Sequence, residues 1–197
     1  MIYSVKPKIS AEMKRQGVHI ILFFLAFLLK YLGRWQMAFL LLLLLVITLF
    51  LMPRLRFRSH FYRPSEYQYS RGAALYFFSL IIIVLTFPPE VVAGAWGIMA
   101  LGDGMATLVG RAFKVRELPW NKNKSYAGTV AFTLFGLIGS IILLHWMLPE
   151  AGFNFIFFLS LKTVVVAAVV ESLPWRVNDN ISVPFVAAIM LNLLMIA

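Results

Sequence analysis

Seven apolar runs of roughly 16 to 23 residues, the first and third the shortest, separated by short polar breaks, leave this chain little choice of fold. They are Gly17–Leu32, Trp35–Met52, Gly72–Phe87, Glu90–Gly110, Tyr126–Leu148, Phe153–Leu173 and Ile181–Ala197. Each suits a helix crossing a hydrocarbon core about 30 Å thick. Inside lipid a crossing segment must satisfy its own backbone hydrogen bonds, which a helix does and an open strand does not. The predicted fold is all-α: a polytopic transmembrane helical bundle forming one integral-membrane domain over residues 1–197. Gly33-Arg34, Pro88-Pro89, Pro149-Glu150 and Pro174 mark the junctions.

Composition agrees. The chain is 61% hydrophobic and only 13% charged, against about 25% charged in soluble domains. It has no cysteine, which rules out disulfides and Cys-ligated metal sites. The first apolar run lacks a small-residue cleavage site after it and reads as a retained span. A net charge of +10 would suggest nucleic acid on a soluble protein. Here the basic residues lie in short loops, where they set orientation. With the N-terminus in the cytoplasm, the N-terminal segment, the Arg54–Arg71 segment, the Arg111–Lys124 loop and Arg176 all lie inside. Only Lys30 and Arg34 lie outside, and Lys162 falls within a span. The expected location is a multi-pass protein of a bacterial or archaeal inner membrane, its polar site facing the cytoplasm. Nucleic acid is not an expected partner.

Within the fourth run stands Asp103, between Gly102 and Gly104. A carboxylate at membrane depth costs several kcal/mol unless something compensates it, so it marks a candidate site. In GDGMATLVGR, Asp103, Thr107 and Gly110 recur at i, i+4 and i+7, one helix face, with Arg111 at the interface. Asp103 then lies roughly 10 Å inside the cytoplasmic boundary at 1.5 Å per residue. The competing reading is structural: an ion pair with Lys162, which lies within about one helical turn of the same depth, and glycines that let helices pack closely.

Three further clusters fall on the same side. In WNKNKSYAG, Lys122, Lys124, Ser125 and Gly128 lead into the fifth span; lysines, a hydroxyl and free helix amides form an anion site. In ESLPWRVNDN, Glu171 ends the sixth span, and Asp179 and Asn180 are expected to cap the last; their hard oxygens suit Mg²⁺. In EMKRQGVH, Glu12, Arg15 or Gln16, and His19 share a helix face at the cytoplasmic mouth.

These blocks, KRQGVH, GDGMA…GR, LPWN..KS.AG[ST] and E.LP…DN..VP, occur in that order over nearly the whole chain. They resemble the CTP-dependent polyprenol kinase family of phytol, farnesol and dolichol kinases, most closely its phytol kinase branch. The resemblance implies phosphoryl transfer from a nucleoside triphosphate, CTP above all, to the hydroxyl of a membrane lipid, with Mg²⁺. It implies Asp103, Lys124, Glu171 and Asp179 as catalytic residues, Asp103 and Asp179 being metal ligands. Gly102, Gly104, Gly110, Arg111, Lys122, Ser125, Gly128, Asn180, Arg15 and His19 would bind the nucleotide and metal. Two positions depart from the branch pattern: Thr107 where a second acid is common, and Lys114 where a glycine is common.

Two alternatives stay open. A phosphatidate cytidylyltransferase-like enzyme making a CDP-lipid needs the same nucleotide, metal and membrane, and differs in releasing pyrophosphate. A small transporter or non-catalytic membrane protein would use Asp103 and Lys162 as an intramembrane pair and turn over no nucleotide.

Overall fold

A computed structural model describes residues 6–55, 69–113, 116–175 and 177–196. The side chains of Glu12 and Arg15, with Lys114, Arg176 and most of the expected basic segment after Arg54, lie outside the described residues. The described secondary structure is helical apart from one isolated antiparallel bridge between Glu117 and Ser125. The helices are α1 (Lys6–Leu25), α2 (Arg34–Val46), α3 (Arg71–Thr86), α4 (Pro89–Gly97), α5 (Gly104–Ala112), α6 (Tyr126–Met147), α7 (Phe153–Ser172) and α8 (Asp179–Ile196). A 3₁₀ turn, Ala26–Lys30, extends α1, and a π-helical stretch, Ile47–Leu51, extends α2. A second π-helical stretch, Ile98–Asp103, joins α4 to α5 in one unbroken rod.

Five helical segments are long and apolar enough to cross a membrane: Arg34–Arg54, Pro89–Ala112, Tyr126–Met147, Phe153–Ser172 and Asp179–Ile196. The first and third expected runs correspond to shorter apolar helices, Gln16–Lys30 and Arg71–Thr86. Pro89 opens the central rod at the first helical turn, where its missing N–H costs nothing, with Glu90 beside it facing the positive helix end.

That rod is the axis of the bundle. Every residue from Val91 to Ala100 is buried, and α6 packs along its whole length. Two glycines allow the approach. A Cβ on Gly97 would meet the Gly139 carbonyl oxygen at 2.5 Å, and a Cβ on Gly139 would meet that of Gly97 at 2.5 Å. Around the rod, α1 and α6 pack on its α5 end, α6 on α7, α7 on α8, α8 on α3 and α3 on α2.

The two basic residues at the far end from Asp103 close helix termini. Lys30 donates to the Trp146 carbonyl at 2.8 Å and lies 4.7 Å from that indole's ring centre. Arg34 donates to the Leu85 carbonyl at 3.2 Å. Both carbonyls belong to last turns, which lack partners within the helix and favour positive charge.

Candidate functional site

At the other end of the bundle, the start of α3, α6 and α8 and the end of α2, α5 and α7 surround a cavity of about 1650 Å³. Asp103, Glu171 and Asp179 meet in its wall, one carboxylate oxygen from each lying within 4.8 Å of the other two. Each comes from a different segment. Asp103 ends the π-helical stretch, Glu171 lies in the last turn of α7, and Asp179 opens α8. A π turn inserts one extra residue and rotates the next helix about the rod axis, a deviation concentrated at functional sites.

Lys124 ties this cluster together. Its Nζ donates to Glu171 Oε1 and, at 2.7 Å, to Asp179 Oδ2. Burial works to lower the Lys124 pKa, but the charges of Glu171, Asp179 and Asp103 outweigh it and hold the ammonium above its ordinary value. One ammonium thus faces three carboxyl groups. Glu171 Oε2 and Asn180 Oδ1 are buried and lack a hydrogen-bond partner among the described residues, a state that ordinarily costs about 1–3 kcal/mol per group.

The loop before α6 delivers Lys124 by folding back on itself. Leu118 N–H donates to the Lys124 carbonyl at 2.9 Å, and Lys124 N–H to the Asn121 carbonyl at 3.0 Å. Asn121 Nδ2 donates to the carbonyls of Ser172 (3.1 Å) and Leu173 (3.2 Å), and Trp120 Nε1 to Ser172 at 3.2 Å. The loop is thereby fastened to the end of α7, beside Glu171. Ser125 caps α6, its Oγ accepting from Gly128 N–H at 3.2 Å. Sequence reasoning overlooked Asn121 and Trp120; the block LPWN carried the signal.

On the opposite wall, His19 Nδ1 lies 3.9 Å from Asp103 Oδ2. The imidazole meets the Tyr76 ring edge-to-face at 4.7 Å between centres. Tyr76 in turn accepts a 2.8 Å hydrogen bond from Trp96 Nε1 in the core. Neither Tyr76 nor Trp96 stands out in the sequence, because a lone aromatic in an apolar run carries no signal.

Asp103, Thr107, Gly110, Arg111, Lys122, Lys124, Ser125, Gly128, Glu171, Asp179, Asn180 and His19 all line this one cavity. Gly102 and Gly104 do not. A Cβ on Gly102 would meet Phe132 at 3.2 Å and one on Gly104 would meet Ile20 at 3.2 Å, so these glycines seat α6 and α1. The cap of α8 also differs from expectation. Asn178 is the cap, its Oδ1 accepting from Asn180 N–H at 3.0 Å, and this frees the Asp179 carboxylate to face Lys124. Asn180 spans to α3, where its Nδ2 donates to the Gly72 carbonyl at 2.9 Å.

The expected alternative pair of Asp103 with Lys162 does not form. Lys162 is exposed and lines a separate shallow pocket with Asn154, Phe155, Phe158, Leu159 and Leu194. Nine residues separate it from Glu171, about two and a half turns at 3.6 residues per turn, so the two point opposite ways from α7.

Sequence comparison points the same way as this geometry. The chain is 34% identical over 122 residues to phytol kinase 1, chloroplastic, of Arabidopsis thaliana, covering 58% of this chain and 40% of that protein. It is 33% identical over 98 residues to the farnesol kinase, chloroplastic, of the same plant, covering 46% and 31%. A probable phytol kinase 2, chloroplastic, of Oryza sativa is 40% identical over 94 residues, covering 44% and 30%. The chain resembles the phytol and farnesol kinases. This phytol and farnesol kinase-like chain spans less than half the length of these relatives. They are named as chloroplastic plant proteins, not as proteins of the bacterial or archaeal inner membrane that was expected. No family model matches the chain, and no solved structure matches it.

Proposed function

We propose that the chain is an integral-membrane lipid-alcohol kinase, transferring the terminal phosphoryl group of a nucleoside triphosphate, CTP above all, to an isoprenoid or related alcohol. The observation that carries the reading is the convergence of Asp103, Glu171, Asp179 and Lys124 in a cavity that also presents the apolar side chains of Val18, Leu22, Leu44, Ile47 and Met52. The names of the relatives support a lipid alcohol as acceptor.

Three carboxylates with hard oxygens, one of them (Glu171 Oε2) buried and unpartnered, fit Mg²⁺. Asp103 and Asp179, with Glu171, would hold it. Bound there, the ion would neutralise charge developing on the transferred phosphoryl group. The chain's own residues supply the rest. Lys124, Lys122 and Arg111 bind phosphate oxygens, the latter two from the exposed rim of the cavity. Gly110 and Gly128 pack against each other and seat α5 on the start of α6, whose first backbone amides lie beside the cavity. Asp103, beside His19, orients the acceptor hydroxyl.

The reading also places the cavity on the cytoplasmic side. Arg54, Arg71, Arg111, Arg116, Lys122 and Lys124 gather at the cavity end of the helices, while Lys30 and Arg34 sit at the other.

The test is phosphoryl transfer by the purified protein in detergent. It would be supplied with Mg²⁺, labelled CTP or ATP, and phytol, farnesol, longer polyprenols and diacylglycerol. Labelled lipid phosphate with release of nucleoside diphosphate is expected. Transfer to none of these alcohols would sink the reading. Release of pyrophosphate with a phosphorylated lipid as acceptor would support CDP-lipid synthesis instead.

A further inference from the structure

The ring of helices around the cavity has one gap among the described residues. Each neighbouring pair packs directly from α1 through α5, α6, α7, α8 and α3 to α2, but α1 and α2 do not close the circle with comparable packing. They converge only at the turn after Lys30, where α2 touches the 3₁₀ extension of α1. The gap is a wedge, narrow at that end and open beside Asp103.

Both sides of the wedge present apolar side chains at helical spacing. Val18 and Leu22 come from α1, Leu44 from α2, Ile47 from its π-helical extension, Met52 from the 3₁₀ turn that follows, and Phe77 from α3 behind them. These six line the same cavity as the carboxylates. From Met52 to Leu44 is eight residues, about 12 Å along the helix. The outer faces of the same two helices carry exposed Ile21, Phe24, Leu43 and Phe50, so the wedge opens onto hydrocarbon. At its inner end stands the His19–Asp103 contact, 3.9 Å across.

We propose that this wedge between α1 and α2 is the lateral seat of the acceptor's hydrocarbon tail, a single-chain lipid alcohol whose hydroxyl lies at His19 and Asp103. The proposal rests on the kinase reading. It adds where the tail runs and which residues set its acceptance. The polar wall and the apolar wall are continuous in one cavity, so an amphiphile with one charged-site end and one chain matches both at once. The other neighbouring helix pairs around the cavity pack directly on one another. Transfer proceeds with the acceptor O–H proton passing to the His19–Asp103 pair as its oxygen bonds to the terminal phosphorus. The nucleoside diphosphate leaves with the electrons of the broken P–O bond.

Two measurements on the full chain test this. A phytol analogue bearing a diazirine in its tail would be irradiated with wild-type protein, and the labelled residues located by mass spectrometry. Label is expected on Val18–Leu22 and Leu44–Met52; label confined to the outward faces of α7 and α8, at Phe158 or Leu193, overturns the proposal. Separately, Ile47→Trp should raise KM for phytol roughly tenfold or more while nucleotide KM stays unchanged, the mark of lost acceptor binding. Lipid-facing Leu134→Trp serves as the control. Unaltered phytol KM in a folded Ile47→Trp variant also overturns it. If Ile47→Trp fails to fold, the wild-type labelling decides. Absence of turnover with every alcohol counts against the kinase reading, and the labelling pattern then still judges the tail seat.

Discussion

Lys124 Nζ bridges Asp179 Oδ2, at 2.7 Å, and Glu171 Oε1, so one cation joins the end of α7 to the start of α8. That relationship has measurable consequences.

Replacing Lys124 by methionine keeps the aliphatic stem and leaves Glu171 and Asp179 facing Asp103 without their counter-charge. Breaking a buried pair costs about 3–5 kcal/mol. The loss here should be lower, about 2 kcal/mol, because the Asp179 side chain is 35% exposed. Thermal unfolding in detergent should show the loss without Mg²⁺ and partial recovery when Mg²⁺ is added. A variant as stable as wild type in EDTA would contradict the role given to the lysine.

The same pair predicts a pH dependence. The Lys124 pKa is raised above its ordinary value of 10.5 by the facing carboxylates, against the effect of burial. A group whose pKa is higher folded than unfolded contributes fully below the unfolded value and loses that contribution as pH rises through the folded one. The stability difference between wild type and Lys124→Met should therefore be flat from about pH 7 to 9 and shrink only above about pH 10.5. Denaturation curves of both proteins across that range check it. A difference that disappeared near neutrality would contradict it.

Gly139→Ala should be costly for a reason that composition hides. Its new Cβ would lie 2.5 Å from the Gly97 backbone oxygen, so α6 must move off the central rod, at about 1–3 kcal/mol. Gly17→Ala is the contrast, since nothing lies within 4 Å of a Cβ there. It should be neutral or stabilising by about 0.5–1 kcal/mol from helix propensity alone. Paired melting temperatures decide whether the close crossing exists.

Tyr76→Phe removes only an oxygen, yet strands a donor. Trp96 Nε1 gives its 2.8 Å hydrogen bond to that hydroxyl, and the indole is fully buried. An unsatisfied buried N–H costs about 1–3 kcal/mol, and the ring against His19 stays in place. Expected is a lower melting temperature with the cavity retained. Tryptophan near-UV dichroism would report the altered indole environment, and an unchanged melt would show that the bond contributes little.

How much of this was legible from residues alone varies with the interaction. The order of motifs brought His19, Asp103, Lys124, Glu171 and Asp179 under one hypothesis, because each is a polar exception beside or within an apolar run. Their grouping into one cavity was predicted only as a shared side of the membrane. The π-helical stretch before Asp103 was not anticipated, since IMALGD has no composition that distinguishes π from α. Asn178 rather than Asp179 caps α8, a one-residue difference that either side chain could satisfy locally. The alternative partner Lys162 fails on helical phase: its depth along α7 matches, its direction around the helix does not.

Hydropathy, proline and glycine breaks dictated helices of about the right length in the right order, because in lipid each helix satisfies its own backbone within a local stretch of chain. The partners of Lys124 depended on something else. Glu171 and Asp179 lie 47 and 55 residues away from it, and they meet because α6, α7 and α8 pack side by side. The seat of α6 on the central rod rests in turn on contacts such as Gly97 against Gly139, where the missing side chains set how near two helices can come. Side-chain pairing across such a crossing depends on the approach and rotation of whole helices, and no local pattern of residues encodes either.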